Sequence, residues 1–182
     1  GGPGTRLFSS LGKDLFKKTA GVSLLRSDER RERIGDDWIH DIMIGDILDP
    51  RTYDNLRAWL QGDKADVIFE RLLAGFKVNP QELYLVAKTF DRWYEMLAEG
   101  GVMFVQVPWW VHDAVDKWKS QVQSRYGDGR SDGMEPVLEV QYSYNPDEFR
   151  RKHLATTSVG YESVLRLRKL KGAPQKLPRL VP

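Results

Sequence analysis

Residues 65–70 read Ala-Asp-Val-Ile-Phe-Glu, and residues 102–107 read Val-Met-Phe-Val-Gln-Val. Each is a short apolar run rich in β-branched and aromatic side chains, the pattern of a strand covered on both faces. Between them Leu83, Val86, Phe90, Trp93 and Leu97 recur at alternating steps of three and four, so the spacing predicts a helix from about Asn79 to Ala98. Gly100-Gly101 closes that helix before the second strand begins. A strand, a helix and a second strand in this order make a parallel pair joined by a helical crossover.

The same alternation extends upstream. Leu7, Phe8, Leu11, Leu15 and Phe16 predict a helix over Thr5–Lys18, and Gly21 to Leu25 reads as a buried strand. Ser27–Ile34 is charged and ends at Gly35, as a short helix or turn would. Ile39–Ile44 is strand-like, and Pro50 opens a helix in which Tyr53, Leu56, Trp59 and Leu60 share a face. Downstream, Pro108 opens a helix lined by Val111, Val115, Trp118 and Val122.

Beyond that helix the pattern changes. Tyr126–Pro136 is a glycine- and aspartate-rich loop. Val137–Tyr144 then alternates, with Leu138, Val140, Tyr142 and Tyr144 on one face, and Tyr161–Leu170 sets Leu165 and Leu167 against Arg166 and Arg168. Alternation marks strands with one wetter face, hence an antiparallel pair at the end of a mainly parallel sheet. Lys171–Pro182 holds three prolines and reads as an extended basic tail, leaving 1–170 as one expected domain. No internal repeat is present.

Composition narrows the chemistry. A chain of 182 residues with 41% hydrophobic and 11% aromatic content can bury a sizeable core. No apolar run approaches the roughly 20 residues that span a bilayer, and no signal-peptide pattern opens the chain, so a cytoplasmic protein is expected. With no cysteine, the chain has no disulfide, thiolate nucleophile or cysteine-ligated metal. His40, His112 and His153 are too few for a histidine-rich centre, and no metal is expected. The net charge of +2 is uneven: from Asp147 onward nine Lys/Arg face three Asp/Glu, a local +6 that leaves about −4 upstream. Such an end suits either an anionic partner such as RNA or a solvated edge.

Four short motifs carry a family resemblance. Gly1-Gly2-Pro3-Gly4 precedes the first helix; Asp28 and Glu29 follow the first strand; Gly45-Asp46 follows Ile42-Met43-Ile44; and Glu70 ends the strand from Ala65. With this strand order, the chain resembles the class I S-adenosylmethionine-dependent methyltransferases. The resemblance implies a Rossmann-like α/β fold, with a mainly parallel sheet, helices on both faces and a C-terminal antiparallel strand pair. It also implies a further strand before Gly1, upstream of the given residues.

The resemblance assigns roles residue by residue. Gly1, Gly2 and Gly4 match the turn that receives the methionine part of S-adenosylmethionine, where glycines permit close backbone approach and helix-start amides meet a carboxylate. The family's acidic residue sits at the end of the second strand and binds the ribose hydroxyls; here Asp28 comes a few residues later. Asp46, with Ile47 beside it, matches the position that binds the adenine amino group, and an aspartate there also suits a helix cap before Pro50. Phe69 belongs to the strand end facing the transferred methyl.

Glu70 lies at the carboxyl end of its strand, where ligands of open α/β sheets bind, and suits a general base or a salt-bridge partner of Arg71. His112, in the first turn of the next helix, suits the same role through its pKa near about 6.5, or a structural one. Trp109 and Trp110 are neighbours and cannot share a helical face, so one suits the core and one a planar acceptor. The Asp/Asn-Pro-Pro-aromatic tetrapeptide that the family's nucleobase amino-methylating members carry is absent after Phe69. An oxygen, carbon or small-molecule nitrogen acceptor is therefore expected. A methyltransferase-like module without activity, touching RNA through its basic end, is the second reading. A nicotinamide oxidoreductase is disfavoured, because Gly-Gly-Pro-Gly poorly matches the Gly-x-Gly-x-x-Gly turn.

Overall fold

The alternating apolar runs and amphipathic stretches fold as a Rossmann-like α/β protein with an antiparallel strand pair at one end of its larger sheet. The computed structural model describes residues 19–23, 40–70, 80–107, 111–128, 130, 132–143 and 163–180. The chain divides into two compact units, Gly1–Leu56 and Arg57–Pro182.

In the first unit β1 (Thr19–Ser23) and β2 (His40–Ile44) pair in parallel, with Thr19 opposite His40 and Ser23 opposite Ile44. Strand β1 lies two positions earlier than the apolar run suggested. The expected helices over 5–18 and 27–34 lie outside the described residues. Helix α1 (Pro50–Leu60) begins at the proline, whose missing N–H costs nothing at a helix start.

The second unit carries β3 (Ala65–Glu70), α2 (Pro80–Met96), β4 (Leu97–Val107), α3 (His112–Tyr126), β5 (Leu138–Ser143) and β6 (Ser163–Lys169). Its sheet runs in the order β3-β4-β6-β5. Strands β3 and β4 are parallel, as the helical crossover requires, and β6 is antiparallel to both β4 and β5. Buried Met103 and Val105 on β4 face Leu167 and Leu165 on β6, and Val140 on β5 faces Leu167. The other face is wetter: Arg166 and Arg168 both pair with Glu139, at 3.3 and 3.8 Å.

Strand β4 starts five residues before the apolar run. Its pairing steps from Leu97 to Val102 while β3 steps only from Ala65 to Val67, a bulge that absorbs the glycine pair. Gly100 lies at φ +83°, open to glycine and costly for other residues. A side chain at Gly101 would meet the Ala98 carbonyl at 2.9 Å and the Ala65 carbonyl at 3.1 Å. The glycines read as a helix stop instead let the chain turn from α2 directly into the sheet.

Phe90, Trp93 and Leu97 of the predicted α2 stripe are buried, as are Val111, Val115, Trp118 and Val122 along α3. The Phe90 ring lies 5.7 Å from both Trp93 and Trp118, edge-on to the latter. The C-terminal segment joins this core. Leu177 and Leu180 are buried, Tyr94 donates its hydroxyl to the Pro174 carbonyl at 2.6 Å, and the Trp118 indole donates to that of Pro178 at 2.7 Å. Burial raises the Tyr94 hydroxyl well above its ordinary pKa and keeps it a neutral donor.

Candidate functional site

Asp46 follows directly on β2. Its Oδ1 accepts the Leu48 N–H at 2.8 Å, and its carbonyl accepts the Asp49 N–H at 3.0 Å and the Thr52 hydroxyl at 2.6 Å. These bonds fold 46–49 into a turn leading to α1. The capping role belongs to Asp49, whose Oδ1 accepts the Arg51 N–H at 2.9 Å and whose carboxylate pairs with the Arg51 guanidinium at 2.7 Å. The Asp46 side chain is therefore exposed at the carboxyl end of a parallel strand, with Ile47 half-buried beside it. Gly45 is required for the turn itself: a Cβ there would lie 2.6 Å from Thr52 Oγ1.

In the second unit Phe69 and Glu70 end β3. Phe69 lies opposite Phe104, ring centroids 6.5 Å apart, while Glu70 lies opposite Val105. Because strand side chains alternate, the two occupy opposite faces of the sheet. Glu70 shares the face of Met103 and Val105, and both Phe69 and Glu70 are half-buried.

His112 opens α3 and reaches across the sheet end. Its Nε2 lies 2.9 Å from Ser163 Oγ at the start of β6, and its ring meets Tyr142 of β5 edge-on at 5.8 Å. Ser163 stands opposite Val107, the last residue of β4, and both are buried. Burial pushes the imidazole below its ordinary pKa, opposed by a hydrogen bond with the Val107 backbone and by the charge of Asp113. At neutral pH the ring is therefore uncharged and able to accept a proton.

Asp46 and Ile47 thus belong to the first unit, and Phe69, Glu70 and His112 to the second. Gly1, Gly2, Gly4, Asp28, Trp109 and Trp110 lie outside the described residues. Three residues that no motif announced enter the second unit's site. Ser163 and Tyr142 hold His112, and Phe104 meets Phe69; alternation placed Tyr142 on the buried face, but nothing local in Ser163 marks its partner. Among the described residues no group of three or more His, Asp or Glu side chains is placed to hold a metal ion, and no helix is long and apolar enough to cross a membrane.

No family model and no curated protein matches the chain. Among solved structures it is similar to an rRNA methylase from Streptococcus thermophilus, at TM-score 0.48 and 11% identity, over 85% of this chain and 75% of that one. It is similar to the N-methyltransferase NodS from Bradyrhizobium japonicum at TM-score 0.43 and 16% identity, over 85% and 75%. An O-methyltransferase family protein from Burkholderia thailandensis matches at TM-score 0.37 and 14% identity, over 73% of this chain and 36% of that one.

Proposed function

We propose that this chain is a methyltransferase domain that uses S-adenosylmethionine and delivers the methyl group to an oxygen, carbon or small-molecule nitrogen. The observation that carries the reading is the strand arrangement, with β1 parallel to β2, β3 parallel to β4 with α2 between them, and β6 antiparallel to β5, and with acidic side chains at the carboxyl ends of β2 and β3. The donor set also fits the cofactor. The exposed carboxylate of Asp46, fixed by its turn, suits acceptance from an adenine amino group, and the motif resemblance assigns Ile47 and Phe69 to the cofactor as well. Gly1, Gly2, Gly4 and Asp28 are assigned to the amino-acid and ribose ends by the motif resemblance.

When bound, S-adenosylmethionine supplies an electrophilic methyl group on a sulfonium, so the protein contributes chiefly in-line positioning and, for a weak nucleophile, a base. Glu70 and His112 are assigned that proton, and Trp109 and Trp110 the planar acceptor. A carboxylate on a partly buried strand end and an uncharged imidazole both suit proton removal near neutral pH. The cysteine-free composition supports the cytoplasm as the working compartment.

The test is calorimetry with S-adenosylmethionine on the full chain. Micromolar binding, lost in Asp46→Ala but with the fold retained in Asp46→Asn, supports the reading, since asparagine keeps the Oδ1 acceptor for Leu48 and removes the charge. Absence of binding to the full chain sinks it.

A second reading is favoured by a separate observation. From Ser163 to Leu180 six Lys/Arg occur with no Asp/Glu, and Lys171, Lys176 and Arg179 are exposed while Leu177 and Leu180 anchor the segment. On α2, Tyr84 is 56% exposed, with the Lys88 ammonium 4.4 Å from its ring centroid. Cations beside an open aromatic ring suit a single-stranded RNA, and the domain would then serve as an RNA-contacting module, with or without methylation. Binding of an unstructured RNA that weakens steeply with salt, and about tenfold or more in the double variant Lys176→Glu/Arg179→Glu, supports it. Salt-independent or absent binding removes it.

A further inference from the structure

We propose that Tyr84, Lys88 and Arg179 form a docking site for single-stranded RNA near the sheet edge that carries Glu70 and His112. The Tyr84 ring stacks on a base, and the two cations take the flanking phosphates. The inference rests on the RNA-contacting reading above, and adds where the strand lies and which part of the chain builds the surface.

The C-terminal segment runs along α2 in the opposite direction to the helix. The Pro174 carbonyl accepts from Tyr94, the charges of Lys176 and Arg179 act on Asp91, and that of Arg179 also acts on Tyr84. The helix partner thus moves from 94 through 91 to 84 as the segment advances from 174 to 179. The lengths agree, since ten helical residues rise about 15 Å and five extended residues span at most about 17 Å. Arg179 is held on both sides. Trp118 of α3 donates to the Pro178 carbonyl at 2.7 Å, and Leu177 and Leu180 are buried, while Arg179 itself stays exposed.

This direction leads to the working edge of the sheet. Strands β3 and β4 are parallel and end at Glu70 and Val107, so the helices that follow them, α2 and α3, both start at that edge. Tyr84 lies about 6 Å along the axis from Pro80, the first residue of α2. Strand β6 runs antiparallel to β4 and ends at the opposite edge, where Ala173 turns back on the Leu170 carbonyl. The segment therefore carries Arg179 back towards the edge of Glu70 and His112.

The chemistry there suits a nucleotide. Tyr84 is 56% exposed and has the Lys88 ammonium 4.4 Å from its ring centroid; with the cation on one face, a base stacks on the other. A hydrogen bond from Lys88 draws the Tyr84 hydroxyl below its ordinary pKa, slight burial opposes it, and the charges of Lys88 and Arg179 add to the lowering. Lys88, Lys176 and Arg179 outnumber Asp91, the carboxylate among them, and Glu95 beyond it is paired with Arg57. An acidic peptide would use the cations and leave the ring idle. A base between phosphates uses both.

The experiment is fluorescence anisotropy of the full chain with a labelled oligouridylate of about ten nucleotides, beside an abasic oligomer of the same length. The wild type should bind the uridylate about tenfold or more tightly than the abasic oligomer. Tyr84→Leu should erase that difference, and Tyr84→Trp, which keeps a stacking ring, should retain it. Arg179→Gln should weaken both oligomers and lower the slope of log affinity against log salt by about one. Equal affinity of the wild type for the two oligomers overturns the proposal, because the surface then reads charge alone. So does uridylate binding that Tyr84→Leu leaves unchanged, which puts the strand elsewhere while the RNA reading stands. If neither oligomer binds, the RNA reading falls and this site with it. None of these measurements uses S-adenosylmethionine, so the methyltransferase reading is tested separately.

Discussion

The turn after β2 and the junction at the end of β4 are built in opposite ways. In the turn, the hydrogen bonds described above for Asp46, Asp49 and Thr52 close within six residues, so neighbours in sequence are neighbours in space. At the junction, His112 meets a serine 51 positions away and a tyrosine on a third element. The turn stands on local chemistry, whereas the junction exists only while α3 and the sheet are packed. Damage to one should therefore leave the other intact, and substitutions can break or sharpen that contrast.

The largest effect is expected at Trp118. It is 3% exposed, packs edge-on against Phe90 and donates to the Pro178 carbonyl. Trp118→Ala should cost about 3–5 kcal/mol in urea unfolding through loss of contacts and a cavity. It should also disturb the His112 imidazole signal, since α3 carries both residues. An unchanged His112 signal in a strongly destabilised variant would show that the junction does not depend on helix packing.

The next effect belongs to the turn. Gly45→Ala forces a methyl against Thr52 Oγ1 and displaces its 2.6 Å bond to the Asp46 carbonyl, a local overpacking expected to cost about 1–3 kcal/mol. Asp49→Ala, which removes the cap, should cost about 1 kcal/mol, with Asp49→Ser recovering most of it. In both cases the His112 spectrum should be that of the wild type. If Gly45→Ala is neutral, Thr52 has another place to go and the turn is less tightly specified than its contacts suggest.

The same contrast explains what the sequence disclosed. Pro50 announced α1 because a proline's chemistry is the same wherever a helix starts, and the spacing of Phe90 and Trp93 disclosed the buried face of α2, while Leu97, read into the same stripe, opens β4. Strand type was partly legible: near-continuous 102–107 is the strand with a parallel neighbour, β3, on one side and an antiparallel one on the other, while alternating Leu165 and Leu167 belong to the antiparallel β6. Asp46 looked like a cap, and only the geometry gives that role to Asp49 and the turn to Asp46. Ser163 was invisible for a deeper reason, since a serine at the head of a strand is common and its partner is chosen by register. The glycine pair at 100–101 misled for a related reason, because a helix stop and a bulge ask the same freedom of φ. The C-terminal segment looked extended and solvated, yet Leu177 and Leu180 recur at the three-residue spacing that lets an extended chain bury one edge.

The smallest effect is a slope of stability with pH, and its sign follows from the junction. The folded imidazole of His112 is held below its ordinary pKa, chiefly by burial, so between that folded value and the unfolded value near about 6.5 the unfolded chain binds more protons. Stability should therefore fall as pH drops below about 6.5 and level off once the folded imidazole is itself protonated. The chain also carries His40 and His153, so the informative quantity is the difference between wild type and His112→Gln across that window. The variant should lose its share of the slope while its stability above pH 7 changes by a constant offset. The turn offers the control: Asp49→Ala leaves His112 in place, so its slope across the window should match that of the wild type. A slope unchanged by His112→Gln would mean that the Val107 bond and the Asp113 charge offset burial in full, leaving the histidine with the proton affinity it has in the unfolded chain.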